Sequence, residues 1–352
     1  MQKQFISFEE VRQAGPTLVV DSLLKGCVHL SHWREAPLPD YAWRDDTSAG
    51  IALNALEAGE TFREIPFITN NHWDIDGFIG VWAMCYPEMA LAYAPVLREA
   101  ALIGDFREFD PDRPAASEGL VLACWLNAAE KRFYPPFGKP ESGEKEAIAC
   151  KEKYAWFLPR FAEVLEHPER FVAEWEPEWE KVWSDTEKVQ LTGLPGLGLV
   201  VADVPEPVHY YALFGKTRPF SAVLTRMDGQ RYELEYKYVT WVQTAGRALF
   251  PRMPLDSLAK QLSQKDKVRW TCDPVRDTGP MLRPESGKLS KALRYAHPYE
   301  RAHAASALDP DVVLGEISGF FRQCYKGITP KDDWTWKETR KVIQQALRPP
   351  GE

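Results

Sequence analysis

The fold is decided by the stretch Ile65-Pro66-Phe67-Ile68-Thr69-Asn70-Asn71-His72-Trp73-Asp74-Ile75-Asp76-Gly77. Its first five residues are an apolar run that predicts a buried strand, and the polar residues after them predict a loop that turns into a helix. Earlier in the chain, Thr17–Asp21 and Cys27–Leu30 are similar short runs, and Ser48–Leu56 has a helical pattern. Short strands that alternate with helices predict an α/β fold with a parallel sheet over residues 1–115.

The composition changes twice in the rest of the chain. Residues 116–190 are rich in Ala, Glu, Lys and Trp, which predicts a helical insert or bridge. Residues 191–285 alternate between apolar and polar side chains around the hairpin signal Asp228-Gly229, which predicts a second, α+β domain. Residues 286–352 form a polar tail with a short amphipathic helix near Pro310–Tyr325. The strands predicted in the second domain are Leu199–Val204, His209–Phe214, Phe220–Arg226 and Arg231–Thr240.

Charge and hydropathy exclude whole classes of protein. The chain has 43 Lys and Arg against 51 Asp and Glu, so no basic excess is present to displace the counterions of a nucleic acid. The mean hydropathy is −0.38 and the apolar runs are far shorter than a bilayer span, which argues against an integral membrane protein. The first ten residues lack the pattern of a secretory signal, and the six cysteines stand singly. These features predict a cytoplasmic protein with reduced thiols.

The residues His72, Asp74 and Asp76 carry the strongest chemical signal. They stand at positions i, i+2 and i+4 after a predicted parallel strand, and ligand sites of open α/β sheets lie at the carboxyl ends of strands. We expect the three side chains to converge on one cation. Imidazole and carboxylate donors suit Mn²⁺, which we favour, as well as Mg²⁺, Fe²⁺ or Zn²⁺. The alternative is a solvated acidic turn in which one aspartate caps the following helix.

Three further residues could complete this site. His32 follows the second predicted strand, Asp46 opens the next helix, and Asp105 ends a later helix. Together with the His72 group they offer enough ligands for two ions about 3.5–4 Å apart. Taken singly, each also has a structural explanation, as a hydrogen-bonded histidine at a strand end or as a helix cap.

Several segments resemble the DHH phosphoesterase superfamily. Asn71–Phe78 resembles its H-x-D-x-D-G motif, and Ile103–Phe106 is similar to its later helix aspartate. Leu30–Trp33, followed by Asp46–Ala49, is similar to the Asp-His-His triplet and the helix start after it. In the superfamily the triplet comes after the H-x-D-x-D-G motif, whereas here the order is reversed and His32 alone matches the triplet.

The superfamily includes inorganic pyrophosphatases, single-strand exonucleases and small-nucleotide phosphodiesterases. The resemblance, which covers about residues 25–110, therefore implies a metal-binding domain that works with a substrate-capping domain. A second resemblance, over most of residues 15–285, is to an uncharacterised bacterial family of unassigned function. It rests on the Asn-Asn-His-aromatic-Asp-x-Asp-Gly and Gly-Asp-Phe segments and on Thr240–Gln243.

The second predicted domain could hold an anionic substrate. Basic residues alternate there with aromatic ones, and Arg247 and Arg252 stand in the loop after the hairpin. Arginine forks suit phosphate, and Gln243 offers a further polar contact. The alternative is an exposed sheet face whose basic side chains point to solvent.

These expectations combine in a metal-dependent hydrolase of phosphate esters or anhydrides. Its substrate is expected to be small and phosphorylated or nucleotide-like, and to lie between the two domains. His32, Asp76 and Asp105 are predicted to accept or relay the proton of a water that the metal activates. Two alternatives stay open, namely a ligand-binding or assembly protein that kept the fold but lost hydrolysis, and a metal enzyme that acts on a non-phosphate bond. The predicted metal ligands are His32, Asp46, His72, Asp74, Asp76 and Asp105.

Overall fold

The structure is a computed structural model with the mixed α/β fold that the sequence predicts. By its internal contacts the chain divides into two units, Met1–Trp183 with Trp241–Ala245, and Ser184–Thr240 with Gly246–Glu352. None of the described helices is long and apolar enough to cross a membrane. The residues that the structure describes are 2–133, 146–239, 241–285, 289–290, 293–294 and 296–346.

The first unit contains a four-stranded parallel sheet with the strand order β1-β4-β2-β3. Its strands are β1 (Gln4–Phe5), β2 (Thr17–Val20), β3 (Val28–Leu30) and β4 (Phe67–Thr69). In the register of the two central strands, Leu18 pairs with Ile68. Since neighbouring strands run parallel, their carboxyl ends meet at one edge, where Asp21, Ser31 and Asn70 follow β2, β3 and β4.

Helices pack against this sheet, and they contain far more residues than its strands in the described part of the first unit. The region 116–190, predicted to be helical, does contain a series of helices, and these belong to the first unit up to Trp183. The helices are α1 (Val11–Ala14), α2 (Ser48–Glu57), α3 (Ile75–Cys85), α4 (Pro87–Ala92), α5 (Ala94–Phe106), α6 (Ala116–Phe133), α7 (Glu146–Phe157), α8 (Phe161–Glu166) and α9 (Val172–Thr186).

Gly80 allows α3 to pack closely against both β2 and α2. A Cβ atom built on Gly80 would lie 2.7 Å from Cγ1 of Val20 and 3.3 Å from Cα of Ala49. Only a residue without a side chain fits at this approach. The close packing brings the first turns of α2 and α3 to the carboxyl edge of the sheet.

The second unit contains a six-stranded sheet with the order β5-β6-β7-β8-β10-β9. The β6–β7 pair is parallel and the other neighbouring pairs are antiparallel. Alternate residues of β8, such as Leu234, face a hydrophobic core that also includes Leu258 of α11. The elements are β5 (Gln190–Leu194), β6 (Leu199–Val204), α10 (Tyr210–Phe214), β7 (Ala222–Met227), β8 (Arg231–Tyr236), α11 (Asp256–Lys265), β9 (Trp270–Cys272), β10 (Met281–Pro284), α12 (Pro310–Cys324) and α13 (Trp336–Ala346).

Two expectations about the second unit need correction. The strand predicted over His209–Phe214 is wrong, because Tyr210–Phe214 is a short helix. A parallel β6–β7 pair requires a crossover connection, and a short apolar run fits either a strand or a buried helix. The predicted helix near 310–325 is confirmed as α12, but it is not part of a polar tail, since Val313, Ile317 and Phe321 are buried in the core.

Candidate metal centre

Asp21 lies directly after β2, in the middle of the carboxyl edge. Its backbone has a φ of 49°, a left-handed conformation that aspartate tolerates better than most residues, and only 1 % of the residue is exposed. Its Oδ1 atom accepts hydrogen bonds from Ser48 Oγ at 2.8 Å and from Trp33 Nε1 at 3.1 Å. These contacts hold a buried carboxylate in one orientation.

The first group of ligand-type side chains consists of Asp21, His72 and Asp74, which could hold a metal ion. Nε2 of His72 lies 3.2 Å from Oδ2 of Asp21 and 3.0 Å from Oδ2 of Asp74. The side chains of His72 and Asp74 are 31 % and 34 % exposed, so this group is open to solvent.

The second group consists of Asp21, His32 and Asp76. Nε2 of His32 lies 3.1 Å from Oδ1 of Asp21 and 3.8 Å from Oδ2 of Asp76. All three side chains are buried. Within the described part of the first unit, Asp21 is thus shared by an open group and an enclosed group of potential ligands.

Both histidines turn the same ring atom toward Asp21. Nδ1 of His32 lies 2.5 Å from the main-chain oxygen of Asp46, and Nδ1 of His72 lies 2.7 Å from Oδ1 of Asn71. A carbonyl oxygen only accepts hydrogen bonds, so Nδ1 carries the proton, and in the neutral ring Nε2 has a free electron pair. Metal-binding histidines commonly show this arrangement, with one nitrogen fixed by an oxygen and the other facing the ion.

The structure separates the three residues that were expected to converge. Asp74 is the N-cap of α3, where its Oδ1 accepts the N–H of Gly77 at 2.7 Å while Oδ2 faces His72. Asp76, in the first turn of α3, accepts the main-chain N–H groups of Ser48 and Ala49 at 2.8 Å each. His72 and Asp74 therefore belong to one group and Asp76 to the other, and the capping alternative also holds for one oxygen of Asp74.

The pKa values show that the centre attracts positive charge. Burial alone would lower the pKa of His32, yet the hydrogen bond to Asp21 and the charges of Asp105, Asp21 and Asp76 raise it to about 10. The partial burial of His72 would lower its pKa, but the charge of Asp74 and the hydrogen bonds to Asp21 and Asp74 raise it. Without a metal ion, protonated imidazoles balance the carboxylates.

The carboxylates respond in opposite directions. Burial would raise the pKa of Asp21, but its hydrogen bonds to His32 and His72 lower it. Burial, followed by the charge of Asp21, raises the pKa of Asp76, which His32 only partly offsets. The centre thus favours positive charge, and its nitrogen and oxygen donors could hold a metal ion.

Asp46 and Asp105, which were named from the sequence, and His29 on β3 do not belong to either group of potential ligands. Oδ1 of Asp46 accepts the main-chain N–H of Ala245 at 2.6 Å, and its main-chain oxygen faces His32. Oδ2 of Asp105 lies 3.9 Å from Nδ1 of His32, the ring nitrogen that does not face Asp21. His29, on β3, accepts the N–H of Leu24 through Nε2 at 3.1 Å.

The predicted substrate-binding residues are distributed over both units. Gln243 lies in the first unit, where its main-chain N–H donates to the oxygen of His32 at 2.7 Å. In the second unit, the buried Arg252 donates to the main-chain oxygens of Asp277 and Thr278 at 2.8 Å each, which ties loops together. Arg247 is also buried in the second unit, and substrate contacts by all three residues stay predictions.

Asp21 is the central residue of the site, and the sequence pattern does not mark it as a ligand. In that pattern it is only the last residue of a predicted strand. The signal that could have identified it is the one used for His72, a ligand-type side chain at the carboxyl end of a buried parallel strand.

Comparisons with known proteins identify a family. No curated protein matches the chain. One family model matches residues 1–332 of the 352 in the chain, and it describes a family of unknown function. Because the match covers far more than half of the sequence, the chain belongs to the family DUF6687.

Proposed function

We propose that the protein is a metal-dependent hydrolase of phosphate esters or anhydrides. The observation that carries this proposal is the position of Asp21, whose Oδ1 faces His32 and whose Oδ2 faces His72. A carboxylate shared by two groups of His and Asp ligands is suited to hold two neighbouring ions. The resemblance of Asn71–Phe78 to the H-x-D-x-D-G motif supports the same reading.

The two groups have different parts in the proposal. His72 and Asp74 form the open position, where a substrate can approach, and His32 and Asp76 form the enclosed position. Divalent ions bound there, for which we favour Mn²⁺, would lower the pKa of a water and polarise a phosphoryl oxygen. Asp105, on the Nδ1 side of His32, would stabilise a proton on that imidazole.

The proposed substrate is a small phosphorylated or nucleotide-like molecule. Its negative charge requires basic partners, and Arg247 and Arg252 are the candidates named from the sequence. Both arginines are buried in the second unit, and the guanidinium of Arg252 donates to the main-chain oxygens of Asp277 and Thr278. Gln243 is the candidate for a polar contact in the first unit.

A second candidate function is a non-hydrolytic ligand-binding or assembly protein. One observation favours it: the carboxylates of Asp21 and Asp76 already accept hydrogen bonds from Ser48, Trp33 and Ala49. A network that is satisfied in this way can serve to fix α2 and α3 without any ion.

Metal analysis tests the proposal. Protein equilibrated with Mn²⁺ and freed of excess ion is expected to retain up to two ions per chain. Asp21→Ala and the milder Asp21→Asn are expected to lose both, and the double variant His72→Ala with Asp74→Ala is expected to lose one. His167→Ala, which removes a 44 % exposed histidine, is the matched control and should keep the wild-type content.

Activity then separates the two candidates. The chain with Mn²⁺ is incubated with pyrophosphate and a panel of phosphodiesters, and release of product that depends on Asp21 supports the hydrolase. Bound metal without turnover of any substrate would favour the second candidate. Equal metal content in wild type and both Asp21 variants would contradict the proposed metal centre.

A further inference from the structure

We infer that Asp46 is a positioning residue for His32, and that it acts together with the segment Trp241–Ala245, called here the 241–245 segment. The inference concerns the orientation of one imidazole, and its consequence for metal binding rests on the proposed function. Asp46 is buried and lies immediately before Thr47, the N-cap of α2.

The 241–245 segment binds the chain next to His32 through main-chain hydrogen bonds. Gln243 donates its N–H to the oxygen of His32 at 2.7 Å, and Arg34 donates its N–H to the oxygen of Trp241 at 2.9 Å. Trp33 and Val242 form an antiparallel bridge between these two contacts. The segment therefore holds the backbone of residues 32–34 like an added strand.

Asp46 joins this segment to the His32 ring. Its carboxylate accepts the N–H of Ala245 at 2.6 Å, and its main-chain oxygen lies 2.5 Å from Nδ1 of His32. A hydrogen bond to a carboxylate is shorter and stronger than one between neutral groups. One residue thus fixes the ring of His32 on one side and the 241–245 segment on the other.

The orientation of Nε2 depends on these contacts. With Nδ1 held by Asp46 and the main-chain oxygen held by Gln243, the His32 ring presents Nε2 to Asp21 at 3.1 Å. Loss of the Asp46 carboxylate would release Ala245 and let the Asp46 carbonyl move away from the ring. His72, fixed by Asn71, does not use this arrangement, so the effect should be confined to the enclosed position.

The test compares Asp46→Ala with the conservative Asp46→Asn, which keeps an oxygen acceptor for Ala245. Side-chain ¹H–¹⁵N spectra of the metal-free protein report the Nδ1 proton of His32, assigned with a His32→Gln variant among the seven histidines. We expect this signal to shift or to be lost by exchange in Asp46→Ala and to be retained in Asp46→Asn. The signals of His72 should stay unchanged in both variants.

Titration with Mn²⁺, followed by calorimetry and electron paramagnetic resonance, gives the second readout. Asp46→Ala should lower the affinity for one of the two ions about tenfold or more, the usual effect of losing a partner of a ligating histidine. The affinity for the other ion should stay at the wild-type value. Asp46→Asn should bring the lowered affinity back toward wild type. Asp40→Ala, which removes an exposed aspartate that caps residues 41–43, is the control for acid removal in this loop.

The outcomes separate this inference from the proposed function. An unchanged His32 signal in Asp46→Ala, or equal weakening of both ions, would overturn the positioning role. If the wild-type chain binds no ion, the proposed function is contradicted. The His32 signal would then still show whether Asp46 orients the ring. A changed His32 signal with two ions at wild-type affinity would show that this orientation has no part in metal binding, against the inference.

Discussion

The carboxylate of Asp76 accepts the main-chain N–H of Ser48, the first residue of helix α2, at 2.8 Å. The other carboxylate oxygen accepts the next N–H, that of Ala49, at the same distance. A residue in the first turn of α3 therefore caps the N-terminus of α2 as well as facing His32. The candidate ligand and the helix packing depend on the same side chain, so replacing Asp76 has a structural effect beyond the loss of a ligand.

Replacement of Asp76 should cost more stability than replacement of Asp74. Asp76→Ala leaves two buried N–H groups of α2 without their acceptor, and we expect the free energy of unfolding to fall by about 3 kcal/mol. Asp74→Ala removes a partly exposed N-cap and should cost about 1 kcal/mol. Urea denaturation of the metal-free proteins measures both values. Equal losses would show that the cap supplied by Asp76 contributes little.

The edge of the first sheet could be predicted from local pattern, because a parallel strand buried on both faces appears as an apolar run. That pattern correctly placed His32 after β3 and His72 after β4. Asp21 follows β2 in the same way, but no second ligand-type residue stands close to it in the sequence, so spacing did not mark it. The spacing also did not predict that Asp76 belongs to the other group of ligands. Asp76 lies in the first turn of α3, whose rotation turns its side chain away from that of Asp74.

The contacts between residues far apart in the sequence could not be predicted from a single sequence. Ala245 binds the carboxylate of Asp46 from 199 positions away, and no local pattern connects the two. The short helix over Tyr210–Phe214 was missed for a different reason, because its apolar run fits two structures and the parallel pairing of its neighbours decides between them.

Trp33 should report metal binding by its fluorescence. Its Nε1 donates to Asp21 at 3.1 Å, and its ring centroid lies 5.7 Å from that of His72. Paramagnetic Mn²⁺ at the proposed centre is expected to quench this indole, so at saturating Mn²⁺ Trp33→Phe should remove a large part of the quenching. Because the change also removes a hydrogen bond to Asp21, it should weaken Mn²⁺ binding by about tenfold or more. Trp270→Phe, in the core of the second unit, is the control and should keep the full response. Quenching of the same size in Trp33→Phe and wild type at saturating Mn²⁺ would contradict an ion next to Trp33.

Two glycine substitutions should change stability in opposite directions. Gly80→Ala introduces a Cβ that would lie 2.7 Å from Val20 Cγ1, and we expect a loss of about 1–3 kcal/mol from overpacking. Gly315→Ala, in the middle of α12, meets no atom within 4 Å, and removal of a helical glycine should raise stability by about 0.5–1 kcal/mol. Thermal and chemical denaturation measure both. A stabilised Gly80→Ala would contradict the close packing of α3 on β2.

Acid should weaken the second unit through Glu233. Burial would raise the pKa of this carboxyl, but the charge of Arg301, then His303, and the hydrogen bond from Arg301 lower it below 4.5. A carboxyl whose pKa is lowered in the folded state stabilises the fold above its unfolded pKa, and this stabilisation is lost as pH falls through the folded value. Between pH 5 and 2, wild type should lose up to about 1.4 kcal/mol per pH unit more than Glu233→Gln.

The neighbours of Glu233 decide how this titration is measured. The positive charge of Arg283 also lowers the pKa of Glu233, whereas Glu235 and Tyr238 raise the pKa of Arg301. These three residues are present in both wild type and Glu233→Gln, so the comparison isolates Glu233. His303, 3.6 Å from Glu233, has a pKa lowered mainly by burial, so its own contribution falls as pH drops below 6.5. His303→Gln should therefore flatten the curve near neutrality and keep the steep part below pH 5. Parallel acid curves for wild type and Glu233→Gln would mean that the buried Glu233–Arg301 pair does not set the acid stability of this unit.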